Sequence, residues 1–503
     1  MTNHLFDALF ARHATNSAIF LHLPDGQTVT YAEFFTQAAR FANAIRASGL
    51  NPGDRLALQL DKSPDMLALI AGAIGAGVVF LPLNSAYTPA EVAYFLNDSG
   101  AKLLICEGRS AASLKGVAEA SKAALSTLNS DGSGDFADFA RQMPASFTPS
   151  DRGADDLAGL LYTSGTTGRS KGAMLSHDNL LSNARVLADS WRFTQSDVLL
   201  HALPVFHTHG LFVATNVALL AGCSMIFLPK FDVNEVIRQL PASTAMMGVP
   251  TFYTRLLEDP RLDHERVKDV RLFVSGSAPL LAETHKQWLA RTGHRILERY
   301  GMTETNMNTS NPYDGERRAG TVGRPLPGVE LRICDAEGRE MPTGEIGMIE
   351  VRGPNVFQGY WNMPAKTREE LRPNGFFITG DLGQVDEDGY VTIVGRGKDL
   401  IISGGFNIYP KEVELVLDGL PQVLESAVIG VPHPDFGEAV VAVVVPAVGA
   451  EADPQMITSS LGQQLARFKH PKHIAFRAAL PRNTMGKVQK NVLRDELADL
   501  FAL

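Results

Sequence analysis

Apolar segments of two different spacings alternate along most of the chain, and this alternation constrains the fold more than any other feature. Residues 34–48 have apolar side chains at helical spacing, and residues 55–60 then alternate as a strand does. Further strand-like segments occur at 102–105, 198–203, 224–228 and 272–275. Such alternation is typical of α/β layers built on largely parallel sheets. Residues 115–150, rich in Ala, Ser and Asp, break the pattern, and we expect an irregular surface excursion there.

The pattern changes beyond residue 320. Short strands are separated there by turn signals such as Pro327-Gly328 and Asp388-Gly389, which predicts a β-rich subdomain. After Arg396 follows a compact segment with a strongly apolar strand at 439–445. The predicted fold class is therefore α/β, with a large N-terminal domain of α/β layers plus a β-rich subdomain and a small α+β C-terminal domain.

Composition excludes several classes of protein. The 503 residues contain 46 Lys and Arg against 55 Asp and Glu, and this acidic balance argues against a nucleic-acid-binding protein. The three cysteines, Cys106, Cys223 and Cys334, are far apart and form no C-x-x-C pair. This spacing argues against a disulfide framework and a Cys-rich zinc site and indicates a reducing compartment. Since no secretory signal is visible at the N-terminus, we expect a cytoplasmic protein.

One uncharged segment, residues 66–83, just reaches the ~18-residue length of a membrane span. Its glycines at 72, 75 and 77 favour a buried helix from about Pro64 that breaks in this Gly-rich stretch, followed by a core strand at 78–81. Since no positive cluster flanks the segment, we expect no membrane span.

The segment 162–172, with the sequence YTSGTTGRSKG, directly follows the apolar strand 157–161. Consecutive N–H groups in a Gly-rich turn form an anion-binding nest, and hydroxyl groups and Lys171 add donors and a positive charge. It is not a Walker A motif, because Lys171 precedes Gly172. The predicted phosphate-binding residues are Thr163, Ser164, Gly165, Thr166, Thr167, Gly168 and Lys171.

This segment resembles the phosphate loop of the adenylate-forming superfamily, which contains acyl-CoA synthetases, luciferases and peptide-synthetase adenylation domains. Further segments similar to the family's motifs follow in order: RYGMTET at 299–305, TGD at 379–381, GRGKD at 395–399, SGGFNI at 403–408 and PRNTMGK at 481–487. The resemblance covers essentially the whole chain. It implies an enzyme that activates a carboxylic acid with ATP as an acyl-adenylate, releases pyrophosphate and transfers the acyl group to a thiol. It also implies Mg²⁺ as cofactor, and ATP and CoA as co-substrates.

The resemblance implies a domain organisation as well. The N-terminal adenylation and acid-binding domain would comprise residues 1–395, the hinge residues 396–398 and the mobile C-terminal domain residues 399–503. Lys398 matches the hinge position, where the neighbouring Gly397 would help the backbone rotate. Ser403, Gly404 and Gly405 would line the tunnel for the pantetheine of CoA.

Nucleotide contacts follow from the same resemblance. Glu304 and Thr303 would bind Mg²⁺ and phosphate, since a hard cation prefers carboxylate oxygen. Asp381 and Arg396 would contact the ribose, and Tyr300 would stack on adenine. The remaining ATP contacts are Gly301 and the loop residues Ser277, Ala278 and Pro279. From the residues alone, Glu304 could equally be a surface residue of a turn, Asp381 part of an Asx-turn and Tyr300 a core aromatic.

Lys487 resembles the lysine that bridges carboxylate, ribose and phosphate during adenylation. Attack of a carboxylate on the α-phosphorus develops negative charge, which an ammonium in a closed site stabilises. Lys487, Glu304 and Thr303 are therefore the predicted catalytic residues. A protein lysine acetyltransferase acting on Lys487 would remove the charge. The segment 465–494 has eight Lys and Arg and no acidic residue, which suits polyphosphate and CoA but equally a solvated basic face.

The acid pocket is expected near His207, Arg255, Ser275, Arg299 and Met302. Two arginines and a histidine beside a small site suit a substrate with a second carboxylate, because guanidinium binds carboxylate bidentately. Together with the segments LPVFHTHG, GVPTFYTRL and ERYGMTET, this set resembles malonyl-CoA synthetases, which use malonate and often methylmalonate.

Several alternatives share the nucleotide motifs. The chain could be an acyl-CoA synthetase for a monocarboxylate, or an adenylation enzyme that loads a carrier protein, although no carrier domain is visible. Either arginine could form a surface or interdomain ion pair, and His207 and His209 could be a metal pair that lacks a third ligand. A non-catalytic ATP-binding module is disfavoured because Lys487 and Glu304 are both present.

Overall fold

The computed structural model describes residues 2–163, 170–403, 406–450, 453–461, 464–483 and 486–502. It confirms the fold class: a large N-terminal α/β domain with a β-rich subdomain is followed by a smaller C-terminal domain. In chain order, the described helices are α1 (His4–Leu9), α2 (Tyr31–Ala47), α3 (Pro64–Ala76), α4 (Pro89–Ser99), α5 (Gly108–Ala120), α6 (Asp135–Arg141), α7 (His177–Ser190), α8 (Asn216–Ala221), α9 (Val233–Gln239), α10 (Pro250–Glu258), α11 (Ala282–Thr292), α12 (Pro364–Glu370), α13 (Pro410–Asp418), α14 (Pro454–Leu461) and α15 (Lys490–Glu496).

The strands alternate with these helices through the first 300 residues, as the sequence pattern predicts. In chain order, the described strands are β1 (Ile19–His22), β2 (Thr28–Thr30), β3 (Arg55–Gln59), β4 (Val79–Pro82), β5 (Leu103–Cys106), β6 (Ala124–Thr127), β7 (Leu157–Thr163), β8 (Lys171–Ser176), β9 (Val198–His201), β10 (Ser224–Phe227), β11 (Ala245–Gly248), β12 (Leu272–Ser275), β13 (Leu297–Met302), β14 (Asn306–Ser310), β15 (Arg324–Pro325), β16 (Glu330–Cys334), β17 (Gly347–Arg352), β18 (Phe377–Val385), β19 (Val391–Arg396), β20 (Ile401–Ser403), β21 (Phe406–Ile408), β22 (Val423–His433), β23 (Gly437–Pro446) and β24 (His473–Phe476).

Within the described residues these strands form four sheets. One has the order β6-β5-β3-β4-β7-β8, and a second the order β15-β14-β13-β12-β11-β9-β10-β1-β2. Both have parallel centres, with an antiparallel strand at one edge of the first sheet and at both edges of the second, which is the arrangement of an α/β protein. The antiparallel sheet β16-β17-β18-β19 forms the β-rich subdomain, and β20 to β24 form the sheet of the C-terminal domain.

Helix α3 begins at Pro64 and ends within the Gly-rich stretch, as the sequence predicts. It continues through Gly72 and Gly75 and ends at Gly77, whose φ of 73° is left-handed. A Cβ at Gly72 would lie 2.8 Å from the carbonyl oxygen of Ala38 in α2. The glycine therefore permits close packing of two helices rather than ending one. No described helix is long and apolar enough to cross a bilayer.

Residues 115–150 lie largely at the surface, as expected, but the segment is not irregular. This part of the chain contains the end of α5, strand β6 and helix α6. Strand β6 pairs in parallel with β5, and α6 buries Phe136, whose ring stacks on Phe41 with centroids 6.0 Å apart. The apolar signal was weak because β6 is a partly exposed edge strand and α6 is short.

The second sheet brings separate parts of the sequence together. Strands β9, β11, β12 and β13 are parallel neighbours, so their carboxyl ends lie at one edge. The segments that follow these ends contain His207, the start of α10, Gly276–Pro279 and Thr303–Glu304. In open α/β sheets this edge is the usual position of a ligand site.

Candidate active site

A buried arginine forms the centre of the site. Arg299 lies in β13 and is 3 % exposed. Its Nε and Nη2 atoms are buried without a hydrogen-bond partner among the described residues. Burial lowers the pKa of the guanidinium to about 9. An unpaired buried charge costs several kcal/mol, as much as ~3–5 when a partner is missing, so a negative ligand beside Arg299 would offset this cost.

Other polar atoms in the neighbouring segments are also buried and unpaired. They are Thr208 Oγ1, His209 Nε2 and Ser275 Oγ. Buried polar groups are normally hydrogen-bonded, so several unpaired groups near the same strand ends indicate a ligand-binding pocket.

The two histidines of this pocket are neutral. Burial is the main cause that lowers the pKa of both side chains, and the Arg299 guanidinium is the second. The pKa of His207 is lowered to about 4 and that of His209 well below its usual value. His207 Nδ1 accepts from the backbone N–H of His209 at 3.4 Å, and His209 Nδ1 lies 3.3 Å from the hydroxyl oxygen of Ser277. Ser277 has a left-handed φ of 70°, which is uncommon for a residue other than glycine and typical of functional sites. The positive charge at this end of the pocket is therefore that of Arg299.

A π-helix from His209 to Thr215 carries one of these histidines. Its first turn is fixed by His201, whose Nε2 lies 2.9 Å from the carbonyl oxygen of Gly210. The Lys62 ammonium donates to Nδ1 and to the carbonyl oxygen of His201, both at 2.8 Å. Single turns of π-helix frequently occur at functional sites.

A chain of three polar side chains lies on the other side of β13. The Tyr300 hydroxyl donates to Asp381 at 2.5 Å, and Arg396 Nε donates to the same carboxylate at 2.7 Å. Asp381 and Arg396 face each other across the register of β18 and β19. The three residues predicted to contact the nucleoside are therefore brought together.

A second cluster surrounds Glu304, which is 5 % exposed. The Tyr360 hydroxyl lies 3.1 Å from Glu304 Oε1 and 2.6 Å from Glu370 Oε2, and Thr163 Oγ1 is 3.5 Å from Glu304 Oε1. Lys171 Nζ lies 3.3 Å from Glu370 and 4.1 Å from the centroid of the Tyr360 ring. Burial raises the pKa of Glu304, whereas Lys171 and the Tyr360 hydroxyl lower it. The neighbouring groups compensate only part of the cost of burying the Glu304 carboxylate, and such a carboxylate is a suitable ligand for a cation.

The base of the phosphate loop is fixed by strand pairing. Thr163 and Lys171 pair directly across β7 and β8. The outer side of β8 pairs with residues 358–361, where the Trp361 N–H donates to the Gly172 carbonyl at 2.8 Å. Ser164, Gly165, Thr166, Thr167 and Gly168 lie outside the described residues.

Lys487 approaches the site from the C-terminal domain. Its backbone N–H donates to Asn483 Oδ1 at 2.9 Å. The residue is exposed to solvent. Crowding by protein atoms and then the Arg396 guanidinium lower the pKa of its ammonium to about 8. Its charge also lowers the pKa of His207. Lys487 is therefore within electrostatic range of both Arg396 and His207.

The remaining predicted residues lie as follows. Gly301 and Met302 end β13, Thr303 is half-buried in the turn before β14, and Ala278 and Pro279 lie between β12 and α11. Lys398 is exposed in a short 3₁₀ turn after β19. Ser403 is buried at the end of β20, and Gly404 and Gly405 lie outside the described residues. Arg255 is exposed on α10 and is not one of the buried polar groups around Arg299.

Sequence reasoning missed Tyr360 and Glu370 at the phosphate end, and Lys62 and His201 behind the π-helix. Tyr360 is 56 residues from Glu304 and Lys62 is 139 residues from His201, whereas His201 is only nine residues from Gly210. No local motif in the sequence indicates these contacts. No group of three or more His, Cys, Asp or Glu side chains that could hold a metal ion occurs within the described part of the chain.

Comparison with protein families gives two matches that follow one another along the chain. The model described as AMP-binding enzyme matches residues 6–361, and that of the AMP-binding enzyme C-terminal domain matches residues 412–487.

Individual relatives cover nearly the whole chain. A malonate–CoA ligase of Arabidopsis thaliana is 34% identical over 98% of this chain and 88% of its own length. A feruloyl-CoA synthase of an Amycolatopsis species is 37% identical over 93% of this chain and 94% of its own length. The crystal structure of ATP-bound MatB from Rhodopseudomonas palustris covers 100% of both chains at 56% identity, with a TM-score of 0.98.

Proposed function

Because the chain belongs to the AMP-binding enzyme family and is an AMP-forming acyl-CoA ligase, we propose that its acid substrate is a small dicarboxylate, malonate or methylmalonate. In the first half-reaction, one carboxylate of the acid attacks the α-phosphorus of ATP and pyrophosphate leaves. In the second, the CoA thiol attacks the acyl carbon of the adenylate, giving the acyl-CoA and AMP.

The observation that carries this proposal is the unpaired guanidinium of Arg299. A monocarboxylate has only the carboxylate that reacts with ATP, so its other end would leave the buried charge uncompensated. A dicarboxylate places its second carboxylate against Nε and Nη2, the two atoms that lack partners. Bidentate pairing would supply both hydrogen bonds and the missing counter-charge. The Arabidopsis malonate–CoA ligase and the full-length likeness to MatB support this choice.

The other residues have proposed roles in the same reaction. Lys487 would stabilise the charge that develops as the carboxylate attacks, with Lys171, Thr303 and residues 163–168 holding the phosphates. Glu304 would hold Mg²⁺, which supplies charge neutralisation at the phosphates when bound. Asp381, Arg396 and Tyr300 would hold the nucleoside together with Gly301 and the loop 277–279. In the acid pocket, His207, Ser275 and Met302 would contact the acid, and Arg255 would take part only if its exposed side chain turned inward.

The second half-reaction requires a change of site. Rotation of the C-terminal domain about Lys398 would withdraw Lys487 and bring residues 403–405 to the pantetheine of CoA. An exposed residue in a short turn between two sheets can absorb the backbone rotation that this requires.

Lys487 would also be the point of regulation. A lysine acetyltransferase would transfer the acetyl group of acetyl-CoA to Nζ, releasing CoA and removing the positive charge. Intact mass after incubation with such an enzyme and acetyl-CoA should show one added acetyl group that is absent from Lys487→Arg. An unmodified wild-type enzyme would refute this role.

The first experiment is CoA-dependent AMP release from ATP and Mg²⁺ with malonate, methylmalonate, succinate, acetate, butyrate, octanoate, coumarate and ferulate. Butyrate is the informative comparison, since it has about the size of malonate with an ethyl group in place of the second carboxylate. We expect malonate or methylmalonate to have the highest kcat/KM. Highest turnover with ferulate or coumarate would favour an activity like that of the Amycolatopsis feruloyl-CoA synthase and overturn the dicarboxylate proposal.

The matched variant is Arg299→Gln. It should lower kcat/KM for malonate by ~10²–10³-fold, the equivalent of ~3–4 kcal/mol for a buried charge pair, and change that for butyrate little. Arg238→Gln, which removes an exposed arginine paired with Glu235, is the control for loss of one positive charge. Equal losses with malonate and butyrate would show that Arg299 is structural.

A further inference from the structure

The guanidinium of Arg299 occupies the space directly above a glycine. Gly276 follows β12, and the pairing of Ser275 with Glu298 places it beside Arg299 on the parallel strand β13. A Cβ built on Gly276 would lie 2.4 Å from Cζ, 2.5 Å from Nη1 and 2.6 Å from Nε of Arg299. Its three nearest atoms thus all belong to one guanidinium. Any side chain at residue 276 would occupy the position of that group.

The backbone itself does not require glycine at this position. Among the described residues, Gly276 does not belong to those with positive φ, whereas its neighbour Ser277 does. Alanine could therefore adopt the same backbone conformation without the strain that a left-handed residue carries. The absence of a side chain at residue 276 is therefore required by the space that the Arg299 guanidinium occupies, and not by the backbone conformation of the turn.

The displacement caused by one methyl group is large enough to matter. Carbon atoms pack at ~3.5 Å, so Cζ would have to move by about 1 Å from its present 2.4 Å contact. Bidentate pairing with a carboxylate depends on position, and a 1 Å misplacement in a site can cost ~10²-fold in rate. Because Arg299 is almost fully buried, it has little space into which it can move without leaving the pocket.

We propose that Gly276 is a specificity-determining residue, since the absence of a side chain there allows the Arg299 guanidinium to face the distal end of the acid. A side chain at residue 276 displaces the guanidinium and removes the preference for a second carboxylate. This inference rests on the dicarboxylate function proposed above.

The test is a double-mutant cycle of Gly276→Ala and Arg299→Ala, assayed by AMP release with malonate and with butyrate. Gly276→Ala should lower kcat/KM for malonate by ~10–100-fold, mainly through KM, and change that for butyrate by less than about threefold. In the Arg299→Ala background the same methyl group meets no guanidinium, so Gly276→Ala should have no further effect on either acid. The KM for ATP should stay constant throughout.

Gly116→Ala is the control for replacing a glycine, because a Cβ there has nothing within 4 Å. It lies in α5, and its kinetics should match the wild type. Melting temperatures of all variants separate a folding defect from a change in specificity.

Two failures can be distinguished. If the wild type does not prefer malonate to butyrate, the proposed function is wrong and this inference is overturned with it. If the wild type prefers malonate and Arg299→Ala removes the preference, the function stands. The inference alone is then overturned when Gly276→Ala lowers activity equally for both acids or adds to the effect of Arg299→Ala.

Discussion

The pKa of Lys487 makes a quantitative prediction about the pH dependence of adenylation. Crowding and the Arg396 guanidinium lower this pKa to about 8, from a usual value of 10.5. A lysine with a depressed pKa is charged below it and neutral above it. Between pH 7 and pH 9 the charged fraction should fall from ~90% to ~10%, whereas an unshifted lysine would remain ~97% charged at pH 9. If the charge is required, kcat/KM should fall about tenfold over this interval.

The assay is pyrophosphate release without CoA, since the CoA thiol itself ionises in this range. ATP is varied and the acid kept saturating, because a substrate carboxylate beside Arg299 keeps that guanidinium charged. The profile of kcat/KM should show a descending limb near pH 8. The profile of kcat should descend at higher pH, because the phosphates of bound ATP raise the pKa of the neighbouring ammonium.

Lys487→Arg identifies the group responsible. Arginine keeps its charge throughout the range, so the limb near pH 8 should disappear, even if the overall rate is lower. Wild-type enzyme held at pH 9 and returned to pH 7.5 should recover full activity, which excludes unfolding. A flat wild-type profile between pH 7 and pH 9, or a limb that persists in Lys487→Arg, would refute the assignment.

Three further substitutions test other parts of the molecule. Lys487→Ala should abolish adenylation but spare thioester formation from a supplied acyl-adenylate, and equal loss of both half-reactions would contradict its role. Glu370→Gln removes the carboxylate that lies 3.3 Å from Lys171. The KM for ATP should then fall by ~3–10-fold, because the ammonium is free to pair with phosphate. An unchanged or higher KM would mean that Glu370 instead holds Lys171 in place. Thr30→Ala removes the capping box that Thr30 and Glu33 form at the start of α2, and urea unfolding should show a loss of ~1 kcal/mol with unchanged kcat.

The sequence predicts the layers of this fold well because local spacing determines them. The strand predicted at 272–275 coincides with β12, and the α/β alternation identifies the sheet whose edge carries the site. The end of α3 in the Gly-rich stretch is predicted correctly, but the sequence does not show which of the glycines ends the helix, because it does not show what packs against each of them. Gly72 and Gly77 look alike in the sequence, yet only Gly77 ends the helix.

For the candidate site, the sequence indicates the residues of each motif but not the contacts between them. Arg299 is identifiable because it adjoins the Tyr300 motif, yet its burial and lack of a partner depend on neighbouring strands. Tyr360 and Glu370 could not be found, because the contacts of Tyr360 with Glu304 and of Glu370 with Lys171 arise only when the segment after residue 357 pairs with β8. Long-range pairing of this kind has no local periodicity.

The unpaired guanidinium of Arg299 also affects thermal stability. A buried charge without a partner destabilises the folded state, so the ligand-free enzyme loses stability at the position proposed to bind its substrate. A neutral side chain of similar volume, as in Arg299→Met, should therefore raise the melting temperature while removing the preference for a second carboxylate. Selection of variants for heat resistance alone would favour replacement of Arg299. It would yield enzymes with higher thermal stability that no longer distinguish malonate from butyrate.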